Sequence, residues 1–237
     1  MDNNPQFDPE FESLISVNEV ERAAFYRKTY AHVALATLLF IVIETIFLNI
    51  PVLVEFMLGM LQGWKWFIVL GLFIFATNYA EKIAHTSHDK GIQYLGLLLF
   101  VVAEALIFIP LIYIAIVMGE MNGSDTLNQA AITTLALFTG LSAVVLVTKK
   151  DFSFLRSIIM VGSFVALGII IAGVIFGFNL GLVFSGGMVL LASASILYQT
   201  SNLIHKYSTD QYVGASLGLF ASLMLLFWYV LSIFSRD

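Results

Sequence analysis

The stretch Leu190–Asn202, LLASASILYQTSN, decides how the chain is read. Its first half is apolar and rich in small residues. Its second half turns polar, with Tyr198, Gln199, Thr200, Ser201 and Asn202 in a row. On a helix, Ser195, Gln199 and Asn202 fall on one face, at spacings of four and three. The flanks, from Gly181 onward, are apolar enough to sit in lipid. A bare amide in hydrocarbon has no hydrogen-bond partner, so this face must meet protein or water. The reading is an interior helix around which other spans pack, lining part of the route of anything conducted.

The rest of the composition agrees. Of 237 residues, 59% are hydrophobic and 11% charged, where soluble domains carry about a quarter charged residues. The mean hydropathy is +0.93. The expected fold class is therefore all-α: a polytopic membrane protein, a seven-transmembrane-helix bundle with the sixth helix central. The absence of cysteine excludes disulfides, thiolate metal sites and a thiol nucleophile. The net charge of −5 comes mainly from Asp2, Asp8, Glu10, Glu12, Glu19 and Glu21 near the N-terminus. No basic, aromatic surface for nucleic acid is present.

Seven apolar segments have the length of about 20 residues that crosses a bilayer. They are 30–50, 64–81, 92–118, 127–147, 157–178, 181–204 and 211–234. Pro51 ends the first, and the short apolar run 52–63 is expected at the interface, beside Trp64 and Trp66. Pro110 is expected to kink the third span and free a carbonyl near Leu106. Glycines around Asn179 mark a tight turn. Residues 1–28 read as an acidic cytoplasmic tail and short amphipathic helix, with a capping box at Ser16 and Glu19. Residues 29–237 read as the seven-span membrane domain. No basic region leads into an apolar core at the start, so no cleavable signal peptide is expected.

Placing the N-terminus in the cytoplasm puts Arg22, Arg27, Lys28, Lys82, Lys90, Lys149, Lys150, Arg156 and Lys206 inside and leaves Lys65 and Arg236 outside. This is a positive-inside bias, and an odd number of spans leaves the C-terminus outside. The expected location is the cell membrane of a bacterium. The sequon Asn122-Gly123-Ser124 faces outside in this topology.

Two carboxylates, Glu44 and Glu104, fall within spans. Counted from the inner ends, both lie roughly 20 Å deep and could share a layer. No intramembrane Lys or Arg is available to pair with them. They are read as proton- or cation-linked, against the alternative of two separate protonated acids. Ser195, Gln199, Asn202 and Ser222 are read as pore-lining or interhelix polar groups, with hydrogen-bonding glue as the plainer role for the two amides. Gly214-Ala215-Ser216-Leu217-Gly218 matches G-x-S-x-G, but that motif is a nucleophile elbow only between a strand and a helix. Here the glycines read as a close-packing pair, as do Gly173, Gly177 and Gly181, and no enzyme is expected. His32, His85, His88 and His205 read as interfacial and solvated, in no metal-ligand spacing.

Several segments carry a resemblance. The loop TKKDFSFL at 148–155 is similar to the link between the fourth and fifth spans of the Bax inhibitor family. AAITTLALFTGLSA at 130–143, ILYQTSNLIH at 196–205 and RKTYAHVALATLLF at 27–40 resemble that family's fourth, sixth and first spans. The resemblance implies a pH-sensitive calcium leak channel in bacterial members and suppression of cell death in eukaryotic ones. It also implies an aspartate dyad sharing a proton and closing the pore. In this chain Gln199 stands at the first of those positions and Ser222, or Ala221, at the second. The expected function is a cation channel or transporter, for Ca2+ or another cation, with proton linkage through Glu44 and Glu104 and no cofactor. The alternative is a non-conducting regulator that binds a membrane protein partner, such as a protease or cell-death component. The lipid bilayer is a partner in either case, and nucleic acid in neither.

Overall fold

The computed structural model describes residues 9–87 and 89–236, with side chains from residue 19 onward. The described residues form helices α1 (Pro9–Leu48), α2 (Pro51–Met60), α3 (Lys65–Thr86), α4 (Lys90–Asn122), α5 (Thr126–Thr148), α6 (Leu155–Phe176), α7 (Gly181–His205) and α8 (Tyr212–Phe234). All except α2 are long and apolar enough to cross a membrane; in α1 the candidate span is Glu19–Leu48. The all-helical, seven-span expectation holds, with ends close to those read from hydropathy.

The first helix differs from its expectation. It runs through Ser16 without a break, so the chain does not start a helix there, and the boundary after residue 28 falls inside α1. The side chain of Ser16, the acidic Asp2 and Asp8, and His88 lie outside the described residues. Pro51 begins α2 as well as following α1: it occupies the first helical turn, where its missing N–H costs nothing. The third span continues through Pro110 as one helix of 33 residues. Two helices end on left-handed glycines, Gly123 after α4 (φ 65°) and Gly177 after α6 (φ 73°), a conformation that suits a residue without Cβ.

The centre of the bundle is not the sixth span. The apolar windows of α4 and α8 are 67% and 61% buried, and that of α7 only 22%. Helix α8, the seventh span, packs against α1, α3, α4, α5 and α7. The polar stripe of α7 does face protein, but a polar stripe needs one neighbour, whereas small and apolar residues on all sides admit many. Among the described residues helix α6 packs chiefly on α7, with Ala166 also in a cluster with Tyr229 of α8, and leaves Ile158, Phe164 and Phe176 exposed. In lipid that exposure is a solvated state.

Aromatic rings lock α1, α4 and α8 together. Phe108 stacks on Phe227 at 5.6 Å, and meets Phe40 and Trp228 edge-on at 5.2 and 4.9 Å. On the other side of α4, Gly96 lets α3 come close: a methyl group there would lie 2.7 Å from the carbonyl oxygen of Ala80 and 3.0 Å from the nitrogen of Ala84. Both obstacles are backbone, so the helices would have to part. Gly96→Ala is expected to destabilise the fold by about 1–3 kcal/mol. A thermal melt in detergent would show it, with Gly71→Ala, where a methyl group meets nothing within 4 Å, as the control.

Candidate functional site

Helices α3, α4, α7 and α8 leave a polar cleft of about 240 Å³ between them. Thr77 and Glu81 come from α3, four residues apart and on one helix face. Ser195 and Gln199 come from α7, and Gly218, Ala221 and Ser222 from α8. Three of the sequence-predicted polar residues, Ser195, Gln199 and Ser222, are thus brought together. Asn202 is not among the lining residues: it is buried, and its Oδ1 has no hydrogen-bond partner among the described residues. The positions matched to the family's two aspartates, Gln199 and Ser222, face the same cleft.

The hydroxyls here have a defined direction. Ser222 donates to the carbonyl of Gly218 at 2.9 Å, so in its 2.8 Å bond with Ser195 it accepts. Gly218 earns its place by proximity to Gln199: a methyl group there would lie 3.0 Å from Gln199 Oε1. Gly214 does the same for His85, whose Nδ1 would stand 2.6 Å from an added methyl. The G-x-S-x-G run is therefore a packing motif. Its Ser216 is fully buried and donates to the carbonyl of Val213 at 2.7 Å.

A larger cavity of about 460 Å³ lies beside this cleft. The two share the lining residues Thr77, Phe100, Ala221 and Leu225. Beyond that common wall the larger one holds Glu104, Ser185, Ser232 and Arg236. Glu104 is buried at 6% exposure.

Glu44 is elsewhere. It is 4% exposed and lines a separate cavity between α1 and α5. Neither of its carboxyl oxygens has a hydrogen-bond partner among the described residues. Glu44 and Glu104 therefore share no proton through a hydrogen bond, although their depths are similar. Depth counts residues along each helix, while pairing also needs both helices turned toward each other. Glu81 went unnoticed in sequence because it stood at the expected end of its span; α3 continues five residues further, to Thr86. Its signal was the Thr77–Glu81 spacing.

One end of the bundle is tied by long-range polar contacts. Arg22 donates from both guanidinium nitrogens to the carbonyls of Ile204 and Tyr207, at 2.7 Å each, meeting groups left free where α7 ends. Lys90 donates to the carbonyl of Asp210. His32 bonds Tyr94 Oη at 2.9 Å, and its ring lies against Tyr212. His32 and His85 are half-buried and packed on tyrosines, not freely solvated. Burial pushes the Tyr207 hydroxyl up to about 12. The α5–α6 loop is held by Ser201: its hydroxyl accepts the Phe152 N–H at 2.9 Å and donates to Asp151 Oδ1 at 3.4 Å. Asp151 Oδ1 also accepts the Ser153 N–H at 2.8 Å. Hydrogen bonding from Ser153 holds the Asp151 carboxyl below its usual range. Lys149 and Lys150 of the same loop are exposed.

The profile of the family described as "Inhibitor of apoptosis-promoting Bax1" matches residues 22–237. A Pseudomonas aeruginosa protein of uncharacterized role is 42% identical over 118 residues, 49% of this chain and 53% of that protein. The Escherichia coli protein named modulator of FtsH protease YccA is 38% identical over 117 residues, 48% of this chain and 53% of its own. The chain thus spans about half the length of these bacterial relatives. The Golgi anti-apoptotic protein of vaccinia virus is 30% identical over 228 residues, covering 93% of this chain and 89% of the viral one.

The loop tether makes a prediction. Ser201→Ala removes the acceptor of the Phe152 N–H, so hydrogen exchange at Phe152 should rise while exchange in the core of α8 stays unchanged. The Asp151 contribution has a sign too. A carboxyl held below its unfolded value, about 3.9 for Asp, stabilises the loop above that value and loses the effect only as pH falls through the lower one. Protection of the loop should therefore be constant from neutral pH to about pH 5.

Proposed function

The chain belongs to the Bax inhibitor family, and from that premise we propose that it is a proton-linked cation leak of the cell membrane, running along the seam of α3, α4, α7 and α8. One observation carries the reading: the cleft with Glu81, Gln199, Ser195 and Ser222 and the cavity with Glu104 and Arg236 meet at a common wall. Together they give a line of oxygen groups past the middle of the bundle. A dehydrated cation needs such oxygens in place of its water.

In this reading Thr77, Phe100, Ala221 and Leu225 form the constriction. The Ser195–Ser222 bond closes the cleft beside it. Gln199 and Ser222 do not titrate, and of the two carboxyls on the route Glu81 is exposed and Glu104 buried, so Glu104 is taken as the proton sensor. Ionised, its carboxyl draws a cation past the wall; protonated, it does not. Glu44 stands outside the route and is given no part in it. Ca2+, which the family resemblance implies, is the first cation to test. The basic residues that the fold gathers at one end, Arg22, Lys28 and Lys90 among them, support the reading that this end faces the cytoplasm.

A second reading has its own support. The E. coli relative is named a modulator of a protease, and Lys149 and Lys150 offer an exposed basic pair on a tethered loop. In that reading the chain conducts nothing and binds a membrane protease through this loop.

Flux into proteoliposomes loaded with a calcium indicator distinguishes the two. The leak reading expects flux that rises with pH, a Glu104→Gln variant that no longer responds to pH, and an Ala221→Leu variant whose flux is sharply reduced. Flux equal to that of protein-free liposomes at every pH would overturn it. Co-purification of a protease lost on replacing Lys149 and Lys150 by Ala would then carry the second reading.

A further inference from the structure

The cavity that holds Glu44 has a volume of about 480 Å³ and is divided from the cavity of Glu104 by Met224 of α8, which lines both. Helices α1 and α5 form its sides, and they meet away from it, where Tyr30 packs edge-on against Phe138 with ring centroids 6.3 Å apart. Residues of α4 and α8 close its floor, Ile112 and Phe227 among them. Ile41 and Leu135, both about half exposed, stand at its lip, so it opens toward the lipid.

Most of the wall is apolar, but two polar groups inside it are stranded. Both oxygens of Glu44 and the hydroxyl of Thr134 lack hydrogen-bond partners among the described residues, and both residues are at least 96% buried. A buried polar group without a partner costs about 1–3 kcal/mol, and a charged one more. Two such groups facing one cavity mark a place where a ligand supplies the donors.

The chemistry of the wall narrows the class of ligand. A divalent cation takes about six to eight oxygens; this cavity offers one carboxylate, and no three His, Asp or Glu side chains converge anywhere among the described residues. A plain acyl chain would fit the apolar wall but leave Glu44 and Thr134 as they are. A protonated amine brings N–H donors and a charge opposite to the carboxylate. Its apolar part suits Phe40, Leu127 and Phe227. The volume lies within the range of small-molecule sites, about 300–1,000 Å³.

We infer that the Glu44 cavity is a binding site for a lipophilic amine, which enters from the bilayer between α1 and α5 and pairs its ammonium group with the Glu44 carboxylate. Thr134 accepts from or donates to the polar end of the same ligand. The inference stands apart from the leak reading, because its readout is binding and not flux.

The test uses the full chain in phosphatidylcholine nanodiscs, titrated with dimethyldodecylamine and compared with empty nanodiscs. Saturable uptake above the empty discs is expected, with binding weakened about tenfold or more in Glu44→Gln, the loss expected for a charge-assisted hydrogen bond. Dodecanol, with the same apolar body and no charge, should fail to displace the amine. Uptake equal to that of empty discs, equal binding by wild type and Glu44→Gln, or displacement by dodecanol would each overturn the proposal. If Glu44→Gln fails to fold, Ala131→Phe decides, since it fills the cavity from α5 and leaves Glu44 in place: binding lost supports the site, and binding kept overturns it.

Discussion

Close approach to α8 is the constraint on which the rest of the bundle depends. Lipid tails are as apolar as leucine, so helices gain little by hiding apolar surface from them; fit and hydrogen bonds hold the bundle instead. Helix α8 supplies that fit with small residues. Gly214 admits the ring of His85, Gly218 admits the amide of Gln199, and Ser222 bonds Ser195. The opposite side of α8 meets α1, α4 and α5, with Phe227 and Trp228 packed on Phe108. Five helices can reach one helix only if little side chain stands between them.

This arrangement divides the cavity-lining polar groups into two sets. In one are the buried Thr77, Ser222 and Glu104, with the half-buried Ser195 and Gln199 and the exposed Glu81, spread along adjoining cavities. In the other is Glu44 with Thr134. The two glutamates share a class of environment and not a site. A buried carboxyl with no basic partner is costly wherever it sits, so each must be explained by its own cavity. For Glu104 the proposed explanation is a route; for Glu44 it is a ligand.

The residues at the two positions where the family resemblance implies aspartates, Gln199 and Ser222 or Ala221, also gain a physical meaning. Two carboxyls at such positions would share a proton and repel one another without it. An amide beside Gly218 and a hydroxyl bonded to Ser195 need no proton and keep the helices together at any pH. The loops at the same end are fixed by Arg22 on the end of α7, and by Asp151 with Ser201 on the α5–α6 loop.

Much of the fold was legible in residue order alone. Hydropathy runs, Pro51 and the glycines near Asn179 mark the ends of the spans, because crossing a bilayer takes a set length and satisfies the backbone only as helix. The polar half of ILYQTSNLIH showed that α7 faces protein, and Gly214 and Gly218 showed a close contact. Tertiary structure decided what depends on rotation and neighbours. It put α8 at the centre instead of α7, set Glu44 and Glu104 in separate cavities, added Glu81 to the cleft and left Asn202 out. Depth along a helix is a count of residues, and a sequence carries it. The direction in which a side chain points across the bundle is set by every helix packed around it.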